Sequence, residues 1–311
     1  MKKLLRLPTA VLLCAAVSYH CTPAADVAPS DPTAGPRLTF RYRFDTEQER
    51  LDNLGQPAEI PAGNAAQTPD FQRLSVHVID LAPDRFTPYG QGANAYRGAE
   101  TSRSGAVAID HDKALVAAAG EVFHTVDLRD LPPGTYEYAR VSVSYQEYGL
   151  TYNLRDLPTL GSLEQQRGTV ASYLGYNNYI GTVELHGESI DVNDAKRQGF
   201  YAFATDLDAP WNAYNTISSG DAPGTTVVNP IAASSPIPPG SCVVTGRFAE
   251  PLVITGNETA DIDVTLSFSI NQSFEWQDAN GNDEWDLSAD PNGANEAVVD
   301  MGLRGLVPRW E

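Results

Sequence analysis

The chain has 311 residues, 42% of them hydrophobic and 20% charged, with a net charge of −19. That is enough apolar material for a sizeable buried core and too much for a chain disordered throughout. The acidity disfavours nucleic acid and anionic membrane surfaces as partners, and three cysteines do not make a disulfide-stapled scaffold.

Lys2, Lys3 and Arg6 precede a short apolar run at 8–17. The run is too short to span a bilayer, so residues 1–20 read as a signal peptide. Cys21 stands where a bacterial lipoprotein signal ends. Its thiol is the expected lipidation site, and the membrane the expected partner through that anchor. Ordinary cleavage near Ala24 or Ala25, giving a soluble exported protein, is the alternative. Residues 21–36, rich in Ala, Pro, Thr and Asp, read as a flexible tether. No other run reaches the ~18 apolar residues of a spanning helix. The expected location is therefore the outer membrane, lipid-anchored, facing periplasm or exterior. Cys242, at the start of a strand-like run, reads as a small buried hydrophobe.

From residue 37 a period of two dominates. Leu38, Phe40, Tyr42 and Phe44 alternate with polar residues, as do Leu74, Val76 and Val78. In 136–148, Ala139, Val141, Val143 and Tyr145 take one face, and Arg140, Ser142, Ser144 and Gln146 the other. Further strands are expected at 168–174, 179–186, 198–204, 242–248, 251–255 and 261–270. Gly, Pro, Asn and Asp bound them. The expected fold is mainly β: an antiparallel β-sandwich, jelly-roll or immunoglobulin-like, with one polar face on each sheet and few short helices. Residues 37–311 form one domain or two packed sandwiches. Short helices are expected at 112–120 and within 155–166, and long loops at 45–70 and 206–241.

The sharpest local pattern is Asp278-Ala-Asn280-Gly-Asn282-Asp-Glu284-Trp-Asp286. Oxygen side chains at alternate positions are how a loop wraps a hard cation. Asp278, Asn280, Asn282, Glu284, Asp286 and Asp290 are the expected Ca²⁺ ligands, in an acidic loop over 278–296. The spacing departs from an EF-hand loop, since Asp283 stands where its glycine would and Ala289 where its last glutamate would. An acidic hairpin tip with Asn-Gly turn chemistry is the other reading. Asp110-His111-Asp112 reads as a helix start, with a carboxylate cap. The chain contains no HExxH, GxSxG or CxxC. Tyr173, Tyr176 and Tyr179, with Trp211 and Tyr214 in a Pro-rich loop, offer flat faces beside Asn side chains, the chemistry of a glycan platform. Such aromatics also cap sandwich cores.

The lipoprotein start, the strand YEYARVSVSYQEY (136–148), SPIPPGSCVVTGRF (235–248) and the ending from 273 to 308 resemble an uncharacterised family of β-rich exported lipoproteins of the Bacteroidota kind. The resemblance implies location and fold alone. The first strand and the Leu131-Pro-Pro-Gly-Thr-Tyr136 entry also resemble MbnP-like copper-binding domains. Copper is not carried over, because two Met and five scattered His make no cluster. The function expected is non-catalytic: binding or scaffolding at the envelope, with a calcium-ordered loop and a glycan or envelope protein as partner. A glycan-binding accessory lipoprotein, a carboxylate-dependent hydrolase and a purely structural surface component are the alternatives.

Overall fold

The computed structural model describes residues 35–88, 91–235, 237–290 and 292–311. The expected signal peptide, Cys21 and nearly all of the tether lie outside them. The alternating segments fold as strands, and the fold is a mainly β arrangement of antiparallel sandwiched sheets. Helical structure among the described residues is confined to 3-10 turns of three or four residues. None is long and apolar enough to cross a membrane.

The 24-residue strand Gly134–Leu157 organises the rest. One of its edges pairs first with Cys242–Ile254 and then with Gly161–Tyr173. The other pairs with Asp70–Ala82 and then, in parallel, with Asp286–Ser288. A second sheet runs Leu306–Trp310, Ile262–Ser269, Arg37–Asp45, Val122–Asp127. It packs on the first half of the long strand. Leu38, Phe40, Val264, Leu266, Ala139, Val141 and Val143 are fully buried there. Each large aliphatic or aromatic side chain buried in this way contributes about 1.5–3 kcal/mol. Within that sheet Arg37–Asp45 and Ile262–Ser269 run parallel, an exception in a predominantly antiparallel fold.

The long strand does not keep one face inward. Ser75 pairs with Tyr145 but Val76 pairs with Val143, so Ser144 is an inserted residue. Its carbonyl instead accepts from the Leu174 N–H at 2.9 Å. A one-residue insertion exchanges the faces of a strand. Beyond it Tyr148, Leu150 and Tyr152 enter a second core against the short sheet Val298–Met301, Phe274–Gln277, Asn64–Gln67. Tyr145 turns to a third core, roofed by the hairpin Asn178–Leu185 and Glu188–Lys196. Tyr145 therefore does not share a core with Ala139, Val141 and Val143.

The polar face at 140–146 is covered too, rather than solvated. Arg140 and Asp80 are both 0% exposed. Arg140 donates to the Thr87 and Arg85 carbonyls at 2.8 and 2.9 Å, with Asp80 Oδ2 at 3.4 Å. Covering a charge requires partners, and a loop over 84–87 supplies them.

The helix expected at 112–120 is absent. His111–Lys113 is a 3-10 turn, and Ala117 and Ala119 instead bridge to Leu74 and Tyr42. Pairing with strands from both sheets overrides the local helix preference. Asp110 makes no cap; it is fully buried between Arg103 at 2.5 Å and Lys113 at 2.9 Å.

Burial pushes the Asp80 carboxyl up to about 6, against the pull of Arg140. A carboxyl raised above its ordinary value of 3.8 favours the fold in its protonated form. Its contribution to stability therefore declines as pH rises from about 4 to about 6. Arg140→Met leaves that carboxylate buried without its cation, an expected loss of about 3–5 kcal/mol at pH 7.5 in urea unfolding. The loss shrinks at pH 5, where Asp80 takes up a proton. A loss independent of pH would show that Asp80 is not the group that needs Arg140.

Candidate functional site

The long strand ends in a hairpin with Gly161–Tyr173, paired on its other edge with Asp286–Ser288, and there the fold leaves a cleft of about 1120 Å³. One wall is a leucine trough. Leu154 and Leu157 come from the strand, Leu160 and Leu163 from the turn and the return strand. Left-handed backbone at Asp156, Thr159 and Gly161 (φ 58°, 71° and 81°) makes the reversal. The short helix expected within 155–166 is absent; the segment forms a twisted hairpin that brings these leucines to one cleft.

The adjoining part of the lining is aromatic. Tyr201 and Phe203 project from Phe200–Asp206. Trp211 and Tyr214 stand on a 3-10 turn that follows the cis Ala209–Pro210 bond. Their ring centroids are 6.5 Å apart, and Tyr214 is 68% exposed. At the base, Trp285 packs edge-on against Phe274 at 4.8 Å, Phe203 at 6.1 Å and Tyr152 at 6.3 Å. Its indole N–H donates to the Glu296 carbonyl at 3.3 Å. The Tyr152 hydroxyl is buried with no hydrogen-bond partner, and burial pushes its pKa up to about 12. Such an orphan costs about 1–3 kcal/mol unless something within the cleft satisfies it.

Two carboxylates, Asp221 and Glu296, are the ionisable acids of the lining, and no Lys or Arg belongs to it. The Glu296 oxygens accept from the Ala279 and Asp286 backbone N–H groups, each at 2.9 Å. Asp221 is exposed at the end of Ile217–Asp221, paired across the ladder with Phe200.

The five aromatics read as a glycan platform fall in separate places. Trp211 and Tyr214 line the cleft. Tyr173 is 1% exposed and belongs to the third core, against Tyr145 and His111. Tyr176 packs on His77 with its hydroxyl 3.5 Å from Glu100. Tyr179 lies under the Arg103 guanidinium at 3.9 Å.

The acidic loop forms one side of the cleft base. Asp286, 6% exposed, is its hub. Oδ1 accepts from Asn153 and Arg155 at 2.9 Å, and Oδ2 from Asn280 and Asn282 at 2.6 and 3.1 Å. Despite burial, these donors hold the Asp286 carboxyl below its ordinary value. Asp278 accepts the backbone N–H groups of Gly281, Asn282 and Asp283. Asp278, Asn280, Asn282 and Asp286 thus share one network. Glu284 joins that network through Asn153, whose amide donates to both Glu284 and Asp286, and also accepts from Gln165; Asp290 belongs to the next turn, accepting from Asn292. Among the described residues, no group of three or more His, Cys, Asp or Glu side chains is arranged to hold a metal.

Sequence reasoning missed Tyr152, the leucine trough, Tyr201 and Phe203. The available signal was the density of leucines beyond the alternating strand, in LRDLPTLGSL (154–163). No protein-family model, curated protein or solved structure matches the chain.

Proposed function

We propose that the chain is an exported, lipid-anchored envelope protein with a non-catalytic binding role, and that its aromatic cleft holds a predominantly apolar ligand. The cleft's lining carries the reading. It joins a leucine trough to Trp211, Tyr201 and Phe203 around a concavity of about 1120 Å³, slightly larger than the roughly 300–1,000 Å³ of most small-molecule sites. Tyr214 and Leu160, 68% and 48% exposed, add solvent-facing apolar surface to the same cleft. The non-catalytic part rests on Glu296, whose two oxygens are taken by backbone N–H groups, which leaves Asp221 without an acid–base companion in the lining. The glycan alternative keeps Trp211 and Tyr214 but draws no support from the buried Tyr173.

Binding is read with N-phenyl-1-naphthylamine, a neutral probe that fluoresces in apolar surroundings. The expected result is saturable fluorescence, with affinity lowered about tenfold by Trp211→Ala and by Leu163→Asp. No saturable signal, or unchanged affinity in both variants, would remove the cleft as the site.

Calcium at the acidic loop is part of the same proposal, supported by the shared network of Asp278, Asn280, Asn282 and Asp286. The melting temperature should rise in millimolar Ca²⁺ relative to EDTA; saturation at a hundred times Kd adds about 2.7 kcal/mol. Asp278→Asn should abolish the response, with the EDTA value lowered only by the lost backbone acceptor, about 1 kcal/mol. Identical melting in Ca²⁺ and EDTA sinks the cation assignment and leaves the hydrogen-bonded loop as its own support.

The anchor is tested separately. Cys21→Ala should move the protein from the membrane to the soluble fraction of expressing cells. Unchanged fractionation would exclude lipidation at Cys21 as the attachment.

A further inference from the structure

The sheet that carries Tyr201 and Phe203 ends at Ile217–Asp221. One edge of this strand pairs with Phe200–Asp206; the other has no strand beside it among the described residues. The Thr205 N–H donates to the Thr216 carbonyl at 2.9 Å, and the Ala222 N–H to the Gly199 carbonyl at 2.8 Å. Antiparallel bonding alternates along a strand, so the even-numbered residues bond inward. The N–H and C=O groups of Ile217, Ser219 and Asp221 therefore point outward along the open edge. Ser218 and Ser219 are exposed there.

Other sheet edges are blunted. Pro308 interrupts Leu306–Trp310, and register shifts break the pairing of Val122–Asp127 and of Ala93–Arg97. Glu188–Lys196 is charged at Glu188, Asp191, Asp194 and Lys196. Ile217–Asp221 contains no lysine or proline and pairs without a shift, so it lacks the devices that guard a free edge.

The two faces of this edge differ. Gly220 pairs with Tyr201 and Ser218 with Phe203, so both small residues share the cleft face with those rings. The Tyr201 ring reaches over Gly220, where an added Cβ would stand 3.0 Å from its hydroxyl. A strand laid along the edge would set alternate side chains on this face, against Tyr201 and into the cleft. Its remaining side chains would meet Ile217, Ser219 and Asp221 on the other face. Asp221 is exposed and makes no ion pair.

We propose that the cleft takes an extended peptide segment, added antiparallel to Ile217–Asp221, with apolar side chains on the cleft face and a basic residue opposite Asp221. This rests on the cleft being a ligand site and names the class of its ligand. Main-chain bonds to the edge give affinity, and the alternate side chains give selectivity. The net charge of −19 attracts basic segments and opposes pairing of this edge with a second copy.

The probe is an acetylated hexapeptide amide, Leu-Lys-Leu-Thr-Leu-Thr, whose binding to the purified protein is followed by calorimetry. Two isomers carry three N-methyl groups each. One is methylated on the lysine and threonine nitrogens, which face the strand in this pairing, and the other on the leucine nitrogens, which do not. The first isomer should not bind, and the second should bind as the parent peptide does. Ser219→Pro deletes one outward N–H that the fold does not use and should weaken the parent peptide about tenfold. Its melting temperature and its affinity for N-phenyl-1-naphthylamine should stay unchanged. Glutamate in place of the lysine should weaken binding about fivefold, and equal binding overturns the basic partner. Equal binding of the two methylated isomers, or no peptide binding while N-phenyl-1-naphthylamine still saturates, overturns strand addition and leaves the cleft as a site for other ligands. A dimer that Ser219→Pro converts to monomer assigns the edge to a second copy and overturns it as well. Loss of the naphthylamine signal itself is the failure of the cleft, not of the edge.

Discussion

The register shift at Ser144 is the constraint on which the other layers depend. A regular strand serves two faces; one inserted residue lets Gly134–Leu157 serve three cores. Before the insertion, odd-numbered residues meet the sheet containing Arg37–Asp45. After it, even-numbered ones meet Phe274 and Trp276. The strand also changes partners at this point. Leu174 N–H bonds to the Ser144 carbonyl, and the Leu174 carbonyl accepts from Cys242, joining the ends of two neighbours. The cleft is the outer end of this arrangement, where the strand outruns the sheets that would cover it.

Charged groups hold the cores in one alignment. Glu275, 2% exposed, accepts from Arg50 at 3.0 Å, Arg304 at 2.8 Å and Asn64 at 2.7 Å. These come from three separate segments, and a shift of Phe274–Gln277 by one residue would strand the carboxylate among apolar neighbours. Apolar packing tolerates such slips better than a buried ion does. Glu275 and the Arg140–Asp80 pair therefore fix the register of strands whose hydrophobic patterns alone would admit alternatives.

The strands were legible wherever one face is apolar and the other polar, as in 37–45 and 261–270. Two kinds of information were not. The first is non-local: nothing in 136–148 marks Ser144 as inserted, because the insertion exists only relative to Asp70–Ala82. The burial of Arg140 likewise depends on a loop more than fifty residues away in sequence. The second is ambiguity of period. Leu154, Leu157, Leu160 and Leu163 suit a helix on paper, yet residues in left-handed backbone turn the same spacing into a hairpin wall. Trp211 and Tyr214, large aromatics in a Pro-rich loop with no strand partner, do line the cleft. Tyr173 carries the same chemistry, but its place in a strand buries it. The acidic loop was legible as a closed unit, and its spacing does bring Asp278, Asn280, Asn282 and Asp286 together. The role of Glu296 as acceptor for two backbone N–H groups could not be read from a linear motif, since Glu296 enters from ten residues beyond Asp286.

The parallel pairing of Arg37–Asp45 with Ile262–Ser269 has a kinetic consequence. Leu38 meets Ile262 and Phe44 meets Phe268, partners more than two hundred residues apart in sequence. Contacts of such long range require closure of a very large loop before they return any stabilisation, and they slow folding. During synthesis the segment RLTFRYRFD must wait for nearly the whole chain to emerge. Its interim partner is Val122–Asp127, which pairs on the opposite edge and leaves the other edge open. An apolar strand with an unfilled edge is a template for another chain. The order of emergence therefore makes this first strand the segment most in need of a chaperone, and its closure with Ile262–Ser269 among the last steps to complete the sandwich.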